Sequence, residues 1–497
     1  MKPIEHNELA TPVTLSKKVV RGGVWIFSLR ILNRGLDFFR IIILARLLSP
    51  TDFGLFGVAI LSISVFETFS QTGFNFALIQ KKESIKTYLD TAWTISALRG
   101  LALFILVFFS APIIAAFFNA PQATLIVRFL AISLIFNGFQ NIGILFFQKE
   151  LEFNRLFLLE ISTTITSFAS TIILAVLLKN VWALVIGGLL ANFVRFCISY
   201  VIQSYRPIPK IEKDKVLELF SFGKWIFLST IVIFLVRQGD DFFLGKVLGV
   251  TALGFYQMAF MIGNLPSSEI TGIISQVAFP TYTKLKSTPG KLNEAYIKTI
   301  SFIALISFPF AGGIFVLAPY FTTLFLGEKW LPIVTPLQIL AISGLIRSIV
   351  ATGGSLFNAI GKPRFDFKMN LWRLIIIIVT IYPLTRLWSI SGTSLSVLLG
   401  LSASGYIWLR GSMREMNISL KRFLVISLPS LSSTLLMLGI ISAITSLILS
   451  QNYSFLSFFI SIIAGVFVYF GGIWFMDRYT GLNTLGAFDF IFSNLKS

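Results

Sequence analysis

Apolar windows of about twenty residues or more, punctuated by charge or by Pro and Gly, follow one another along the whole chain. Fourteen of them predict membrane-spanning helices, near 22–47, 52–78, 90–118, 123–147, 155–178, 181–204, 217–247, 252–281, 295–326, 333–360, 367–388, 390–411, 422–449 and 454–476. Only Arg386 with Trp388 and Ser389 divides the eleventh from the twelfth. Pro266 and Pro309 fall inside the eighth and ninth and are expected to bend or break them.

The polar connections alternate in charge. Every second one, counting from the N-terminal tail, is basic, and together these hold twenty-six Lys and Arg. They include Lys17, Lys81, Lys149, Arg206, Lys284, Lys362, Arg410 and Arg478, whereas the others hold only Arg46, Lys179, Lys246, Lys329 and Arg386. Basic loops stay in the cytoplasm, so both termini are expected there, and the number of spans is even.

One stretch occurs twice. Gly23, Trp25, Ile26, Phe27, Ile31, Leu44, Leu48, Thr51, Gly54 and Ala59 recur without a gap as Gly223, Trp225, Ile226, Phe227, Ile231, Leu244, Leu248, Thr251, Gly254 and Ala259, and Arg46 corresponds to Lys246. This predicts a lobe of six spans over 1–205, a cytoplasmic linker at 206–216, a second lobe of six over 217–411, and two additional spans in 412–497. Both lobes start on the same side, so the repeat is expected to be parallel, about a pseudo-two-fold axis along the membrane normal. The fold class is thus an all-α polytopic membrane protein of about fourteen helices. Between the first two spans, Ser49, Pro50 and Asp52 predict a tight reversal with a capped helix start.

Composition agrees with this picture. The 497 residues are 55% hydrophobic and 13% charged, with a formal charge of +19 and a mean hydropathy of +0.84. The basic residues are spread over short loops and form no single patch, so the charge sets topology and argues against nucleic acid. One cysteine, Cys197, and one histidine, His6, exclude an internal disulfide, a thiolate metal cluster and Ser-His or Cys-His catalysis. No cofactor or metal is expected. Met1 to Val20 carry no apolar core before a small-residue cleavage site, so no removable signal peptide is expected.

The charges left inside the spans are the candidate chemistry. Arg30, Arg34, Asp37 and Arg40 share one face of the first helix. Each mid-bilayer charge costs about 2.5 to 3.5 kcal/mol on insertion scales, so this face must look into a wet cavity or a paired interior. Arg99, Arg128 and Arg195 add to it, and always-charged planar forks suit phosphate oxygens. These six arginines are the candidate substrate-binding residues. Structural ion pairs are the competing reading, for instance Arg34 with Glu67 or Asp37 with Arg40, and Arg99 and Arg128 can also snorkel towards an interface. Asp37, Glu67, Asp240, Asp241 and Glu269 are candidates for ion coupling or ion pairing, and Arg237 and Asp241 have the i,i+4 spacing of a helical ion pair.

The opening Lys17 to Trp25, the run Ala45 to Phe56 with its Ser-Pro-Thr-Asp-Phe-Gly turn, and the echo Asp240 to Gly249 resemble the polysaccharide transporter family of bacterial flippases. That family lies within the multidrug/oligosaccharidyl-lipid/polysaccharide exporter superfamily. The resemblance extends over essentially the whole chain. It implies movement of an undecaprenyl-pyrophosphate-linked oligosaccharide from the cytoplasmic to the outer leaflet of the bacterial inner membrane, as part of polysaccharide biosynthesis and alongside polymerase or export machinery. A multidrug cation antiporter of the same superfamily would favour acids over arginines in the first lobe. A lipid II flippase shares the architecture. A membrane polysaccharide polymerase or ligase would need a large external loop, which this chain lacks.

Overall fold

Ser49 and Asp52 close the first reversal. The computed structural model describes residues 32–70, 86–149, 152–212, 231–265, 267, 272–446, 454–480, 484 and 486. Helix α1 (32–47) ends there and α2 (Pro50–Phe69) begins, with Pro50 in its first turn. Asp52 N–H donates to Ser49 Oγ (3.2 Å) and the Ser49 amide donates to Asp52 Oδ2 (2.9 Å), a reciprocal cap. Asp52 Oδ1 also accepts from the amide of Val181 (2.9 Å), the residue preceding another helix, so one carboxylate satisfies amides at two helix starts. Asp52→Ala is therefore expected to lower stability by about 2 kcal/mol, the upper end for loss of a cap. A fall in the thermal midpoint of the detergent-solubilised protein, partly restored in Asp52→Asn, checks this.

Among the described residues every regular element is helical, and the chain divides into two units, Met1–Ile231 and Val232–Ser497. The first unit continues with α3 (Lys86–Phe117), α4 (Ala123–Phe139), the short α5 (Ile144–Lys149), α6 (Phe153–Leu178) and α7 (Trp182–Ile202). α3 and α4 cross where Gly100 meets Gly138: a Cβ on Gly100 would come within 2.9 Å of the Gly138 Cα, so neither position tolerates a side chain. α6 and α7 form a second antiparallel pair, and α4 packs on α2 and α7.

The second unit comprises α8 (231–247), α9 (Val250–Gly263), α10 (Gly272–Leu285), α11 (Pro289–Phe321), α12 (Val334–Ala359), α13 (Pro363–Met416), α14 (Leu420–Ile444) and α15 (Phe455–Thr480). α11 continues unbroken through Pro309. Within the expected eighth span α9 ends with Asn264 as its C-cap and α10 begins at Gly272, and Pro266 lies outside the described residues. α13 spans 54 residues, which as one rod would be about 80 Å long, far more than a bilayer. Its backbone breaks at Trp388 (φ −130°) and Ser389 (φ 52°), where the sequence divides two spans. Hydroxyl contacts between Thr385 and Thr393 (2.8 Å) and between Thr380 and Ser396 (2.7 Å) show the two halves running antiparallel. Gly392 makes this hairpin possible, since a Cβ there would fall 1.9 Å from the Leu384 carbonyl oxygen.

The duplicated stretch has a structural echo. In the first unit α2 packs on α4, α3 on α4, and α4 on α7. In the second α9 packs on α12, α11 on α12, and α12 on α13. The additional helices α14 and α15 pack on each other and on α11. Among the described residues nine helices are long and apolar enough to cross a membrane, the α13 hairpin counted as one. The protein is a multi-pass membrane protein.

Candidate functional site

The charged face of the first helix is half in view, because Arg30 lies outside the described residues. Arg34 is exposed on α1. One turn on, Asp37 and Arg40 form an ion pair (2.8 Å), and Arg40 also donates to Ser167 on α6. Thus Arg40 ties α1 to α6. Arg195 on α7 makes a two-pronged bond to Glu160 on α6, at 2.9 and 2.7 Å. Both side chains remain about one-third exposed.

Arg99 sits at a helix end. Its guanidinium donates to Ser70 Oγ (2.9 and 2.8 Å) and to the backbone carbonyl of Glu67 (2.9 Å), in the last turn of α2. A cation there answers the carbonyls and the partial negative charge of the helix C-terminus. The Glu67 carboxylate faces Arg99 and hydrogen-bonds with Asn137 on α4, so Glu67 meets a different arginine from the Arg34 the sequence suggests. Arg128 on α4 donates to the Phe108 carbonyl (3.2 Å) and lies 4.8 Å from the centre of the Phe108 ring. In the first unit Arg40, Arg99 and Arg195 thus meet Asp37, Glu67 and Glu160 respectively, while Arg128 is held by a carbonyl and a ring.

At the end of the same unit, the start of the expected linker is fastened down. Residues 203–212 lie outside any helix and are tied to α3: the Ile208 amide donates to Asp90 Oδ1 (3.1 Å), the Lys210 amide to Thr94 Oγ1 (2.9 Å), and the Tyr205 hydroxyl to Asp90 as well. Burial first, then the adjacent carboxylate, pushes the Tyr205 phenol above its ordinary range, so it remains a donor throughout the physiological range. Asn141 Nδ2 donates to the Tyr205 carbonyl (2.8 Å) and Gln203 Nε2 to the Gly143 carbonyl (2.7 Å), completing the strap. Asp90 therefore serves this strap.

The second unit holds a cluster that sequence spacing alone did not assemble. Asp240 on α8 is buried, with 4% exposure, and accepts from the Tyr256 hydroxyl on α9. Arg373 on α13 and Arg347 on α12 supply its countercharge. Arg347 in turn donates to Asn264 Oδ1 (2.8 Å) and lies over the Phe260 ring at 4.9 Å, so it grips the end of α9 much as Arg99 grips the end of α2. Asp241 hydrogen-bonds with Gln257 on α9 and does not take up the i,i+4 pairing with Arg237, which is exposed on α8. An α9 donor within reach displaces the intrahelical partner. Asp240 Oδ1, Asp241 Oδ1, Arg347 Nε and Arg373 Nε are buried without a hydrogen-bond partner among the described residues. Glu269 lies outside those residues. One signal does point to the cluster: across the 200-residue repeat Asp37 corresponds to Arg237 and Arg40 to Asp240, so the charges are exchanged between the copies.

Residues 43–335 match the family described as polysaccharide biosynthesis protein. The chain is 27% identical over 377 residues to the lipopolysaccharide biosynthesis protein WzxC of Escherichia coli (strain K12), covering 74% of this chain and 75% of that one. It is 30% identical over 297 residues to the teichuronic acid biosynthesis protein TuaB of Bacillus subtilis (strain 168), covering 59% and 62%. Among solved structures it is similar to the lipid II flippase MurJ in an inward closed conformation, with a TM-score of 0.73 at 18% identity over 93% of this chain and 99% of that one.

Proposed function

We propose, since this chain belongs to the polysaccharide biosynthesis protein family, that it flips an undecaprenyl-pyrophosphate-linked oligosaccharide from the cytoplasmic to the outer leaflet of a bacterial inner membrane. The observation that carries this reading is the set of arginines held within the spans of the first unit, several still accessible to a ligand. A pyrophosphate headgroup leaving the interface loses water from at least two negative charges. Guanidinium groups already in the membrane replace those hydrogen bonds two at a time. Arg99 and Arg128 donate to backbone carbonyls and a hydroxyl, partners they can exchange for phosphate oxygens, and Arg34 is exposed on α1. Arg40 and Arg195 add positive field while each holds a helix pair. Arg30 belongs to the same stripe.

Transport against a glycan gradient needs coupling, and the carboxylates Asp240 and Asp241 are the coupling groups in this reading, with Glu67 and Glu269 as further candidates. A carboxylate with an unpartnered buried oxygen next to movable arginines changes its ion or proton occupancy when those arginines move. The cycle is alternating access, with both termini cytoplasmic, and the product feeds polymerisation or export. Deleting the gene is expected to stop the surface polysaccharide and leave its lipid-linked repeat unit in the cytoplasmic leaflet, where externally added glycan-modifying enzymes cannot reach it. Repeat units accessible from outside in the deletion strain would contradict the proposal. Rescue of a strain lacking its lipid II flippase would move the substrate to the peptidoglycan precursor.

A further inference from the structure

The two halves of α13 come together at the end opposite their break, and a groove of about 1130 Å3 opens there beside the turn into α14. Its lining combines Lys362, Arg410 and Arg414 with Phe365, Ile407 and Tyr406. Lys362 is paired with Glu415 across the groove (2.6 Å). The Arg410 guanidinium lies 4.9 Å from the Tyr406 ring centre, which fixes its direction. Arg414 stands one turn further along the same face, and both arginines are exposed. Like charges at i,i+4 oppose one another, so the pair is more stable with an anion between them. Lys362, Arg414 and Glu415 lie at the ends of α13 and Arg410 one turn further in, near the level at which headgroups meet a bilayer. From the groove an exposed apolar stripe runs away along α14 through Leu420, Leu424 and Leu428.

We infer that this groove binds the headgroup of an anionic phospholipid such as phosphatidylglycerol, with its acyl chains laid along the α14 leucines. The phosphate bridges Arg410 and Arg414. Tyr406 covers the glycerol moiety. The leucine stripe favours a lipid over free phosphate, because only a lipid gains from both parts of the surface. Since the site uses none of the arginines assigned to substrate, its occupancy is independent of the transport reading.

Native mass spectrometry of the full chain, titrated with phosphatidylglycerol and with phosphatidylethanolamine, tests it. Each cation near an anionic headgroup contributes a factor of about five, so the Arg410→Ala, Arg414→Ala double variant is expected to lose roughly 25-fold in phosphatidylglycerol retention, down to the level of phosphatidylethanolamine. Arg386→Ala, which removes a charge at the other end of α13, is expected to change nothing. If the alanine pair fails to fold, the corresponding lysine pair keeps the charge, and it should retain phosphatidylglycerol in part. Equal retention of the two phospholipids by the unaltered protein, or equal loss in Arg386→Ala, would overturn the proposal. So would displacement of phosphatidylglycerol by equimolar undecaprenyl phosphate, which would give the groove to the carrier lipid, or by millimolar inorganic phosphate, which would deny the acyl chains a role.

Discussion

Arg347→Ala is expected to destabilise the second unit by on the order of 3 kcal/mol and to lower both abundance and the thermal midpoint in detergent. Removing one partner of a buried ion pair strands the other, at a cost of about 3 to 5 kcal/mol. Asp240 is 4% exposed and keeps Tyr256 and Arg373, which places the loss at the lower end of that range. Arg347 also holds Asn264 at the end of α9, so its removal frees a helix end besides. Adding Asp240→Asn removes the stranded charge and is expected to recover about half of the loss. No recovery in the double variant would show that Arg347 acts through Asn264 and Phe260 alone.

Arg34→Ala is expected to behave in the opposite way, losing transport while abundance stays normal. Arg34 is exposed on α1, so truncating it opens no cavity in the packed interior. A charge-assisted hydrogen bond contributes about 1.5 to 3 kcal/mol, so its loss should slow flipping roughly ten- to a hundredfold. Arg34→Lys keeps the charge but not the fork, and partial activity is expected. The readout is polysaccharide restored to a deletion strain, normalised to the amount of protein in the membrane. A poorly expressed Arg34→Ala that is rescued by neutralising Asp37 or Glu67 would transfer Arg34 from the substrate site to the scaffold.

Helices were more legible than their partners. Long apolar windows with alternating loop charge reflect a constraint applied along the entire chain, because a bilayer demands about twenty apolar residues per crossing. Even the weak division at Trp388 and Ser389 corresponds to a real break, since Ser389 takes a positive φ that ends the helix. Ser49, Pro50 and Asp52 were readable because a cap is local, whereas the second bond of Asp52, to Val181, was not: those residues are far apart in sequence. Charge partners were the least legible. Spacing suggested Arg237 with Asp241, yet Asp241 meets Gln257, and the countercharges of Asp240 come from α12 and α13. Residues more than a hundred positions apart meet only once the helices pack, and a list of charges in spans carries no record of that packing. The exchange of Asp37 and Arg40 for Arg237 and Asp240 was in the sequence, but it becomes meaningful only once Asp37 and Arg40 are seen to pair and Asp240 is seen to be buried.

Transport by the purified chain in vesicles is the most direct test. Full-length protein is reconstituted into liposomes containing a fluorescent undecaprenyl-pyrophosphate oligosaccharide, and the fraction of label reached by an external quencher is followed over time. The unaltered protein is expected to equilibrate the two leaflets well ahead of protein-free vesicles, to do so poorly when the pyrophosphate is replaced by an uncharged linkage, and to fall to near background in Arg34→Ala. No acceleration by the unaltered protein, or equal rates for the charged and uncharged lipids, would contradict recognition of a lipid pyrophosphate by membrane-embedded arginines.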